Sequence, residues 1–311
     1  MIQTCYLITG IGGDIAQNTA RIVREVRPHA RIIGSDLHER HAGRLFVDAC
    51  YCLPPATAPD YLPALRALLA EQAVSHVLPM TEPELNFLAG LPTLPEGVQW
   101  FLCGAAAIRA GVDKLDTTRQ LLALGIDMPW TVPVAEGALE YPCMLKPRRG
   151  SGSRGVFKIE DASDAAYHVR KSPDAVFQQL LEPAEREVTC AIFRARSGEV
   201  RVLQLQRRLI GGLTGWAETI HDPAVEALCG EIAEKLDIRG CCNVQLRRTD
   251  AGPKVFEINP RISSTALMRH LLGFCDVQWW LDDADGQLGK DYQPIPAGRE
   301  VVRVFDAAVL R

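Results

Sequence analysis

The sequence lacks any uninterrupted apolar run of the roughly 18 residues that a membrane-spanning helix requires. Met1 leads through Gln3 and Thr4 into a strand-like segment rather than into a basic and then apolar stretch, so no secretory leader is expected here. These two absences predict a cytoplasmic protein with no membrane partner.

The sequence also lacks a large excess of either basic or acidic residues. The 34 basic and 38 acidic residues leave a formal net charge of -4. Proteins that bind nucleic acid normally carry a clear excess of basic residues, so the composition gives no electrostatic reason to expect that partner. A chain of 311 residues, 47% of them apolar, is long enough for two or three lobes that bind a small ligand.

The ten cysteines include no CxxC pair, the spacing typical of redox and zinc sites. Most, Cys5, Cys103 and Cys190 among them, lie in apolar runs, which predicts reduced and buried side chains. The adjacent Cys241 and Cys242 would point to opposite faces of a strand, which argues against joint metal binding. The cysteines and the seven histidines show no nucleophilic constellation either.

Apolar segments and helical patterns alternate through the first hundred residues, as a parallel α/β unit requires. The predicted strands are residues 5–9, 30–35, 49–53, 76–79 and 98–103, and the predicted helices are residues 14–27, 61–71 and 83–88. Asp60 is the expected N-cap of the second helix. After a helix-rich piece at residues 105–125, strands dominate around one long helix at residues 223–236, which predicts an α+β half.

A glycine cluster at residues 10–13 follows the first strand and opens the first helix, and Asp36 ends the second strand. This arrangement imitates a dinucleotide-binding fingerprint, but Ile15 stands where the third glycine of GxGxxG belongs. No downstream residue suggests hydride transfer, so NAD(P) binding is the weaker interpretation. A tight turn between strand and helix explains the glycines, and a small substrate beside that turn stays open.

A second glycine-rich loop follows a strand that ends in a lysine. Lys146 lies near the end of the apolar segment at residues 143–147, and residues 150–155 contain three glycines and two serines. The N–H groups of such a loop can cover a polyphosphate, to which Lys146 adds a point charge. The loop lacks the GK[ST] ending and the following helix of a P-loop. On its own it is as often a flexible hairpin as a phosphate lid.

Two adjoining strands supply a set of oxygen-bearing side chains. Because side chains alternate along a strand, Asn243 and Gln245 share one face of the first strand, and Glu257 and Asn259 share one face of the second. Carboxylate, amide and phosphate oxygens suit Mg²⁺, so Gln245, Glu257 and Asn259 form a predicted nucleotide-metal site. Arg261 keeps its charge and suits a phosphoryl group in transfer. Each residue alone is equally well explained as a polar side chain at a strand end.

In their order, these motifs resemble those of ATP-grasp enzymes. The series is Asp113-Lys114, Leu145-Lys146-Pro147, the glycine and serine loop, Phe177-Gln178-Gln179-Leu180-Leu181, Glu187-Val188-Thr189, Asn243-Val244-Gln245 and Glu257-Ile258-Asn259-Pro260-Arg261-Ile262-Ser263. Within the superfamily the chain is most similar to a synthetase half of the carbamoyl-phosphate synthase large subunit and its stand-alone relatives. The amino-terminal unit, with residues 79–85, is similar to the pre-ATP-grasp domain, so the resemblance covers roughly residues 1–290.

The resemblance implies a fold of mixed α/β and α+β class, in which a parallel α/β pre-ATP-grasp domain precedes the two-lobed ATP-grasp fold. We expect the pre-ATP-grasp domain at residues 1–104 and the small lobe, with linker helices and the glycine-rich lid, at residues 105–182. The large lobe, with the metal site and the carboxyl-terminal tail, is expected at residues 183–311.

Roles for individual residues follow from the same resemblance. The implied nucleotide-binding residues are Lys114, Lys146, Gly150, Ser151, Gly152, Ser153, Gln179, Leu180, Leu181 and Glu187. Among them, the lysines contact phosphates, residues 179–181 read the adenine edge through main-chain groups, and Glu187 holds the ribose hydroxyls. The implied metal ligands are Gln245, Glu257 and Asn259.

The implied catalytic residues are Arg261, Lys146 and Arg208. Arg261 would stabilise the acyl-phosphate, and Arg208 or its neighbour Arg207 would help to bind the phosphoryl group or the substrate. A solvated strand face is the alternative for this arginine pair. Glu82 would either meet a substrate ammonium group or stabilise the start of a helix.

The implied activity is that of an ADP-forming ligase, which phosphorylates a small-molecule carboxylate and passes the acyl group to a nucleophile, usually an amine, to form a C–N bond. ATP and Mg²⁺ are the implied cofactors, with Mn²⁺ as the alternative cation, and a homodimer is left open. Two other functions compete with this one. They are a non-catalytic ATP-binding module and an ATP-grasp kinase or carboxylase variant whose acceptor is not an amine.

Overall fold

The computed structural model describes residues 4–150, 155–289 and 292–309. In chain order the helices and strands are β1 (Cys5–Thr9), α1 (Asp14–Val26), β2 (Arg31–Asp36), β3 (Ala49–Cys52), α2 (Tyr61–Glu71), β4 (His76–Leu78), α3 (Glu82–Ala89), β5 (Gln99–Trp100), α4 (Ala105–Val112), α5 (Lys114–Ala123), β6 (Thr131–Pro133), β7 (Cys143–Pro147), β8 (Phe157–Ile159), α6 (Ala162–Lys171), β9 (Ala175–Gln179), β10 (Glu187–Arg194), β11 (Val200–Ile210), β12 (Leu213–Ile220), α7 (Pro223–Lys235), β13 (Gly240–Thr249), β14 (Gly252–Asn259), α8 (Ala266–Leu271), α9 (Asp276–Ala284) and β15 (Glu300–Val302). Within the described ranges these strands form three sheets.

The first sheet is parallel, with the strand order β3-β2-β1-β4-β5. Its central strand β1 is buried in every position, as expected where helices cover both faces of a parallel sheet. The chain order reverses between β1 and β4, so the turns that follow these strands lie side by side, with Gly10 against Thr81. Ligands bind open α/β sheets at this type of edge.

The second sheet has six strands in the order β14-β13-β10-β11-β12-β15, all paired in antiparallel fashion. Helix α7 begins directly after Asp222, which caps it by accepting a hydrogen bond from the N–H of Ala224 at 3.0 Å. Its apolar side chains, such as Ile232, share one core with Val188 and Val244 of the sheet. Burial of this face fixes which side of β13 is left for polar residues.

The third sheet is smaller, with the order β6-β9-β7-β8, and it has a core of its own that contains Leu145 and Phe177. A different core joins the first sheet to the six-stranded sheet, because Tyr6 and Ile8 pack in the same cluster as Phe193 and Trp280. The parallel sheet and the six-stranded sheet are therefore packed on each other through apolar contacts, whereas the small sheet faces them across a cleft.

The fold class predicted from the sequence is confirmed. Strand β1 and helix α2 have the predicted bounds, but Asp60 only occupies the N-cap position of α2, since its side chain accepts no capping hydrogen bond. The helix-rich piece is two helices, divided at Asp113, whose carboxylate caps α5. Cys5, Cys103, Cys190, Cys241 and Cys242 are buried and free, as expected. No helix within the described ranges combines the length and apolar character needed to span a bilayer.

Two glycines inside helices give opposite expectations for the same substitution. A methyl group at Gly111 in α4 would collide with Pro260 and lie 2.9 Å from the carbonyl oxygen of Ile258, whereas Gly230 in α7 has nothing within 4 Å. We expect Gly111→Ala to lower the free energy of unfolding by about 1–3 kcal/mol through overpacking. Gly230→Ala should raise it by about 0.5–1 kcal/mol through helix propensity. Urea denaturation measures both, and equal stabilisation by the two variants would contradict the packing of α4 on β14.

Candidate active site

A cleft lies between the small sheet and the six-stranded sheet, and many of the residues singled out in the sequence line it. Of the predicted nucleotide-binding residues, those in the lining are Lys114, Lys146, Gly150, Gln179, Leu181 and Glu187. Gln245 and Glu257 of the predicted metal set line it as well. Leu180 belongs to the same segment but is not among the described lining residues, and Ser151, Gly152 and Ser153 lie outside the described residues.

Lys146 stands near the end of β7, inside this cleft. Its ammonium group donates a hydrogen bond to Oε1 of Gln178 at 2.6 Å and lies 4.7 Å from the centre of the Phe256 ring. Burial lowers the pKa of Lys146 to about 8, although the negative charge of Glu257 acts in the opposite direction. The cleft therefore holds a poorly solvated cation, which would gain from a phosphate oxygen.

Lys114 joins the start of α5 to the glycine-rich loop. Its backbone N–H donates to the carbonyl oxygen of Arg148 at 2.9 Å, and its ammonium group donates to the carbonyl oxygen of Gly150 at 2.9 Å. The neighbouring Asp113 is buried and forms an ion pair with Arg148 at 2.9 Å. The first part of the loop is thus anchored as far as Gly150, the last residue described before residue 155.

Glu187 is held between two arginines. Oε1 accepts hydrogen bonds from Nε and Nη2 of Arg207 at 3.0 and 2.8 Å, and Oε2 accepts one from Arg247 at 2.7 Å. Arg247 also donates to the carbonyl oxygen of Leu181, in the segment predicted to read adenine. A carboxylate can accept about four hydrogen bonds, so Glu187 keeps capacity for a hydroxyl group.

Strands β13 and β14 bring the predicted metal ligands together. Asn243 pairs with Asn259, and Gln245 pairs with Glu257, directly across the antiparallel ladder. The amide nitrogen of Asn259 lies 3.3 Å from Oε1 of Glu257, and Oε1 of Gln245 accepts a hydrogen bond from Arg207 at 2.9 Å. The described residues contain no cluster of three His, Cys, Asp or Glu side chains that could hold a metal ion. A cation here would therefore take most of its ligands from phosphate and water, a set that suits Mg²⁺.

A β-bulge adds an aromatic ring to the same cleft. Gln245 pairs with Glu257, but the next residue, Leu246, pairs with Val255, so Phe256 is the extra residue on β14. Bulges re-aim side chains, which explains why Phe256 and Glu257, adjacent in sequence, both line the cleft. Simple alternation would place Phe256 on the opposite face. Arg247, by contrast, continues the alternation of residues 243 and 245 and was overlooked in the sequence.

Arg261 is buried just beyond β14 and links this sheet to the amino-terminal unit. Its Nη2 atom donates to Oε1 of Glu82 at 3.0 Å and to Oδ1 of Asn259 at 3.1 Å. Glu82 is the first residue of α3, so it combines a helix-start position with an ion pair. Both acceptors fix the guanidinium group beside the predicted metal ligands.

A polar cavity of about 380 Å³ adjoins the cleft and shares Arg207, Gln245 and Glu257 with it. Asn259 and Arg261 line it too, and the amino-terminal unit contributes Asp14 and Ile15, directly after the first glycine turn. Three residues with hydroxyl groups, at positions 263–265, form another part of the wall. The cavity therefore presents charges of both signs and few apolar groups.

The side chain of Asp36 occupies the space beside the first glycine turn, at residues 10–13. Oδ2 of Asp36 accepts a hydrogen bond from the N–H of Gly12 at 2.8 Å, and a Cβ at Gly12 would lie 2.9 Å from this oxygen. Gly10 has a φ of 61°, which favours glycine. Asp36 thus stabilises the tight turn, the interpretation preferred over a dinucleotide site.

Residues 112–265 match the family described as ATP-grasp domain. This part of the chain is similar to an ATP-grasp domain. Residues 6–95 match the family described as PylC-like, N-terminal domain. The finer resemblance to the carbamoyl-phosphate synthase large subunit stays a prediction.

Curated relatives of this chain include D-alanine--D-alanine ligases. That of Mycobacterium sp. (strain JLS) is 26% identical over 63% of this chain and 62% of its own length. That of Rhodococcus jostii (strain RHA1) is 26% identical over 62% of this chain and 60% of its own length. The chain thus matches less than two thirds of the length of these ligases.

Solved structures with the same fold span most of the chain. The L-amino acid ligase from Bacillus licheniformis has a TM-score of 0.72 at 19% identity, and the match covers 94% of this chain and 78% of that one. The N5-carboxyaminoimidazole ribonucleotide synthetase from Thermus thermophilus has a TM-score of 0.73 at 18% identity, with 95% and 81% covered. At these identities the likeness shows the fold.

Of the two adjacent arginines on β11, one lines the cleft and the other lies on the outer surface. Arg207 lines both the cleft and the polar cavity, and its side chain is 8% exposed. Arg208 points to the other face of the strand, is exposed, and packs over Trp216 at 5.4 Å. The structure therefore places Arg208 outside the site for which it was singled out, because neighbouring residues of a strand face opposite ways.

Lys146 makes the stability of the protein depend on pH within a defined window. Folding lowers its pKa from 10.5 to about 8, so between these two values the unfolded chain holds a proton that the folded chain has lost. Stability should therefore rise with pH across this window, by up to about 3 kcal/mol. Urea unfolding of the wild type relative to Lys146→Met, at pH 7 to 10.5, measures this difference. Parallel profiles for the two proteins would contradict a desolvated ammonium group at this position.

Proposed function

We propose that this chain is an ATP-dependent, ADP-forming ligase that activates a small-molecule carboxylate as an acyl-phosphate and joins it to an amine. One observation carries the proposal: the nucleotide cleft and the polar cavity share Arg207, Gln245 and Glu257. A phosphoryl group bound beside these three shared residues can pass from a nucleotide in the cleft to a substrate in the polar cavity without release. Such a transfer depends on position and charge neutralisation rather than on a nucleophilic side chain.

In this proposal the cations of the cleft bind the triphosphate. Lys114 and Lys146 contact phosphate oxygens, together with the loop that begins at Gly150. Main-chain groups of residues 179–181 read the adenine edge, and Glu187 binds the ribose while it remains paired with its arginines. The desolvated state of Lys146 supports this assignment, since a phosphate oxygen would replace the lost solvation.

We assign the metal site to Gln245, Glu257 and Asn259, with Mg²⁺ as the cation and Mn²⁺ as the alternative. When bound, such a cation neutralises charge that develops on the transferring phosphoryl group. The single carboxylate of Glu257 fits a cation whose other ligands come from phosphate and water. Binding would release Oε1 of Gln245 from Arg207, which frees one N–H of the guanidinium group for a phosphoryl oxygen while Arg207 stays paired with Glu187.

The reaction has two steps. A carboxylate oxygen of the substrate attacks the γ-phosphorus, and ADP leaves. The amine then attacks the acyl carbon, phosphate leaves, and the nitrogen loses a proton. Arg207 and Arg261 stabilise the acyl-phosphate from the cavity side, where Glu82 and Asn259 hold Arg261 in place.

We further propose that the carboxylate substrate is an amino acid. The polar cavity offers the Arg261 guanidinium for a carboxylate, and the Asp14 carboxylate, which also pairs with Arg303 at 3.3 Å, for an ammonium group. Its few apolar groups, Ile15 and Leu213, favour a small side chain. Relatives named D-alanine--D-alanine ligase and L-amino acid ligase support this class.

The products of nucleotide cleavage test the reaction. With each amino acid in turn as the carboxylate and hydroxylamine as the acceptor, we expect ADP, phosphate and a hydroxamate in equal amounts, because the metal set serves the terminal phosphoryl group. Chromatography of nucleotides and the ferric hydroxamate assay measure these products. AMP as the product would overturn the proposal, and ADP without hydroxamate from any carboxylate would indicate the kinase alternative.

Glu257 provides the matching variant. Glu257→Gln keeps size and hydrogen bonding but removes the only carboxylate of the proposed metal set, so ADP formation should fall by roughly a hundredfold or more. Glu71→Gln, on the exposed surface of α2, removes the same charge elsewhere and should leave the rate unchanged. Circular dichroism checks that both variants fold. Wild-type turnover by Glu257→Gln at saturating Mg²⁺ would remove this residue from the site.

The adjacent arginines form a second matched pair. Arg207→Gln removes a cation from the place where the cleft and the polar cavity meet. We expect kcat to fall by about a hundredfold, the effect of losing one charge-stabilising donor. Arg208→Gln removes the same charge one residue away, on the exposed face, and should change kcat less than about threefold. Steady-state ADP release decides between them. Equal losses in the two variants would contradict the assignment of Arg207.

A further inference from the structure

A third cavity, with a volume of about 580 Å³, lies where the edge of the parallel sheet meets the start of β13. Its lining combines the guanidinium groups of Arg194, Arg196 and Arg239 with the indole rings of Trp100 and Trp280. We call it the junction cavity. The proposed ligase reaction uses none of these five residues.

The guanidinium groups of the junction cavity outnumber the carboxylates. Asp237 accepts hydrogen bonds from Arg194 at 2.9 Å and from Arg239 at 3.0 Å, and these bonds lower its pKa. Asp283 lies 3.9 Å from Arg196. Three cations therefore share two anions, and the cavity keeps a net positive charge.

Donor capacity in the junction cavity also exceeds what the protein uses. The buried Nε–H of Arg194 has no acceptor among the described residues. The side chains of Arg196 and Arg239 are 58% and 70% exposed, which leaves their guanidinium groups able to turn towards a ligand.

The amino-terminal end of α4 adds to the positive electrostatic potential of the junction cavity. Gly104, Ala105 and Ala106 line the junction cavity, and the N-cap Gly104 has no side chain to accept from the first-turn N–H groups. The positive end of the helix dipole therefore reinforces the arginines. Trp100, which is half-buried, and Trp280, which is 9% exposed, provide an apolar surface beside these charges.

We propose that the junction cavity binds a small organic anion, a carboxylate or a phosphate ester, whose apolar body packs on Trp100 and Trp280. The anionic group accepts hydrogen bonds from Arg196 and Arg239, which are suited to planar, two-pronged recognition of such oxygens. Helix α4, about 12 Å long at eight residues, separates this cavity from Lys114 and the ATP cleft. The inference is therefore independent of the proposed ligase activity.

Calorimetric titration of the full chain tests the site, at constant ionic strength and with the ATP cleft saturated by ADP and Mg²⁺. Phenyl phosphate and benzoate are the probes, and the tighter of the two identifies the preferred anion. Inorganic phosphate lacks the apolar body and benzyl alcohol lacks the charge, so each should bind at least about tenfold more weakly. Failure of both aromatic anions to bind, or equal binding of benzyl alcohol, would overturn the proposal.

Matched arginine variants locate the binding. The double variant Arg196→Gln/Arg239→Gln changes exposed side chains and should raise the Kd of the tighter probe by about tenfold or more. The double variant Arg21→Gln/Arg170→Gln removes the same charge from positions on α1 and α6, and should leave the Kd within about twofold. Equal effects of the two double variants would place the anion elsewhere and refute the inference.

Discussion

The antiparallel pairing of β13 with β14 is the constraint on which the candidate active site depends. It sets Gln245 opposite Glu257 and Asn243 opposite Asn259, at the short distance typical of cross-strand neighbours. Because side chains alternate, a slip of one residue would turn these groups to the other face. Pairing of Thr189 on β10 with Gln245 fixes the register from the other side. The remaining parts of the site are positioned relative to these four side chains.

Charge balance holds the cations of the site in place. Arg207 and Arg247 both approach Glu187, and Arg261 approaches Glu82. Ion pairs with little solvent exposure contribute little net stability, because desolvation offsets most of the attraction. Their benefit here is positional, since several guanidinium groups with no intervening carboxylate would repel one another in a cleft of low dielectric. A phosphate group would then enter a site whose cations are already oriented.

The sequence was sufficient for the parts of the fold that depend on local patterns. The apolar run of β1 and the alternation of Asn243 with Gln245 are local, and both describe the structure correctly. The bulge at Phe256 was not predictable, because a register shift leaves no mark on alternation. The same holds for the ion pair between Arg261 and Glu82, which are 179 residues apart in the chain. A contact between residues so far apart in sequence depends on how the amino-terminal unit packs against the six-stranded sheet.

The amino-terminal unit therefore takes part in the site as well as in the core. Asp14 and Ile15 line the polar cavity, and Glu82, at the start of α3, orients Arg261. The apolar cluster shared by Tyr6 and Trp280 holds this unit against the large sheet, so these contacts do not depend on polar groups alone. Residues 112–265, which match the ATP-grasp family, provide the cleft between the small and six-stranded sheets but only part of the cavity beside it. Under the proposed function, the start of α1 is thus the place where this chain can differ in substrate choice while its phosphoryl chemistry stays the same.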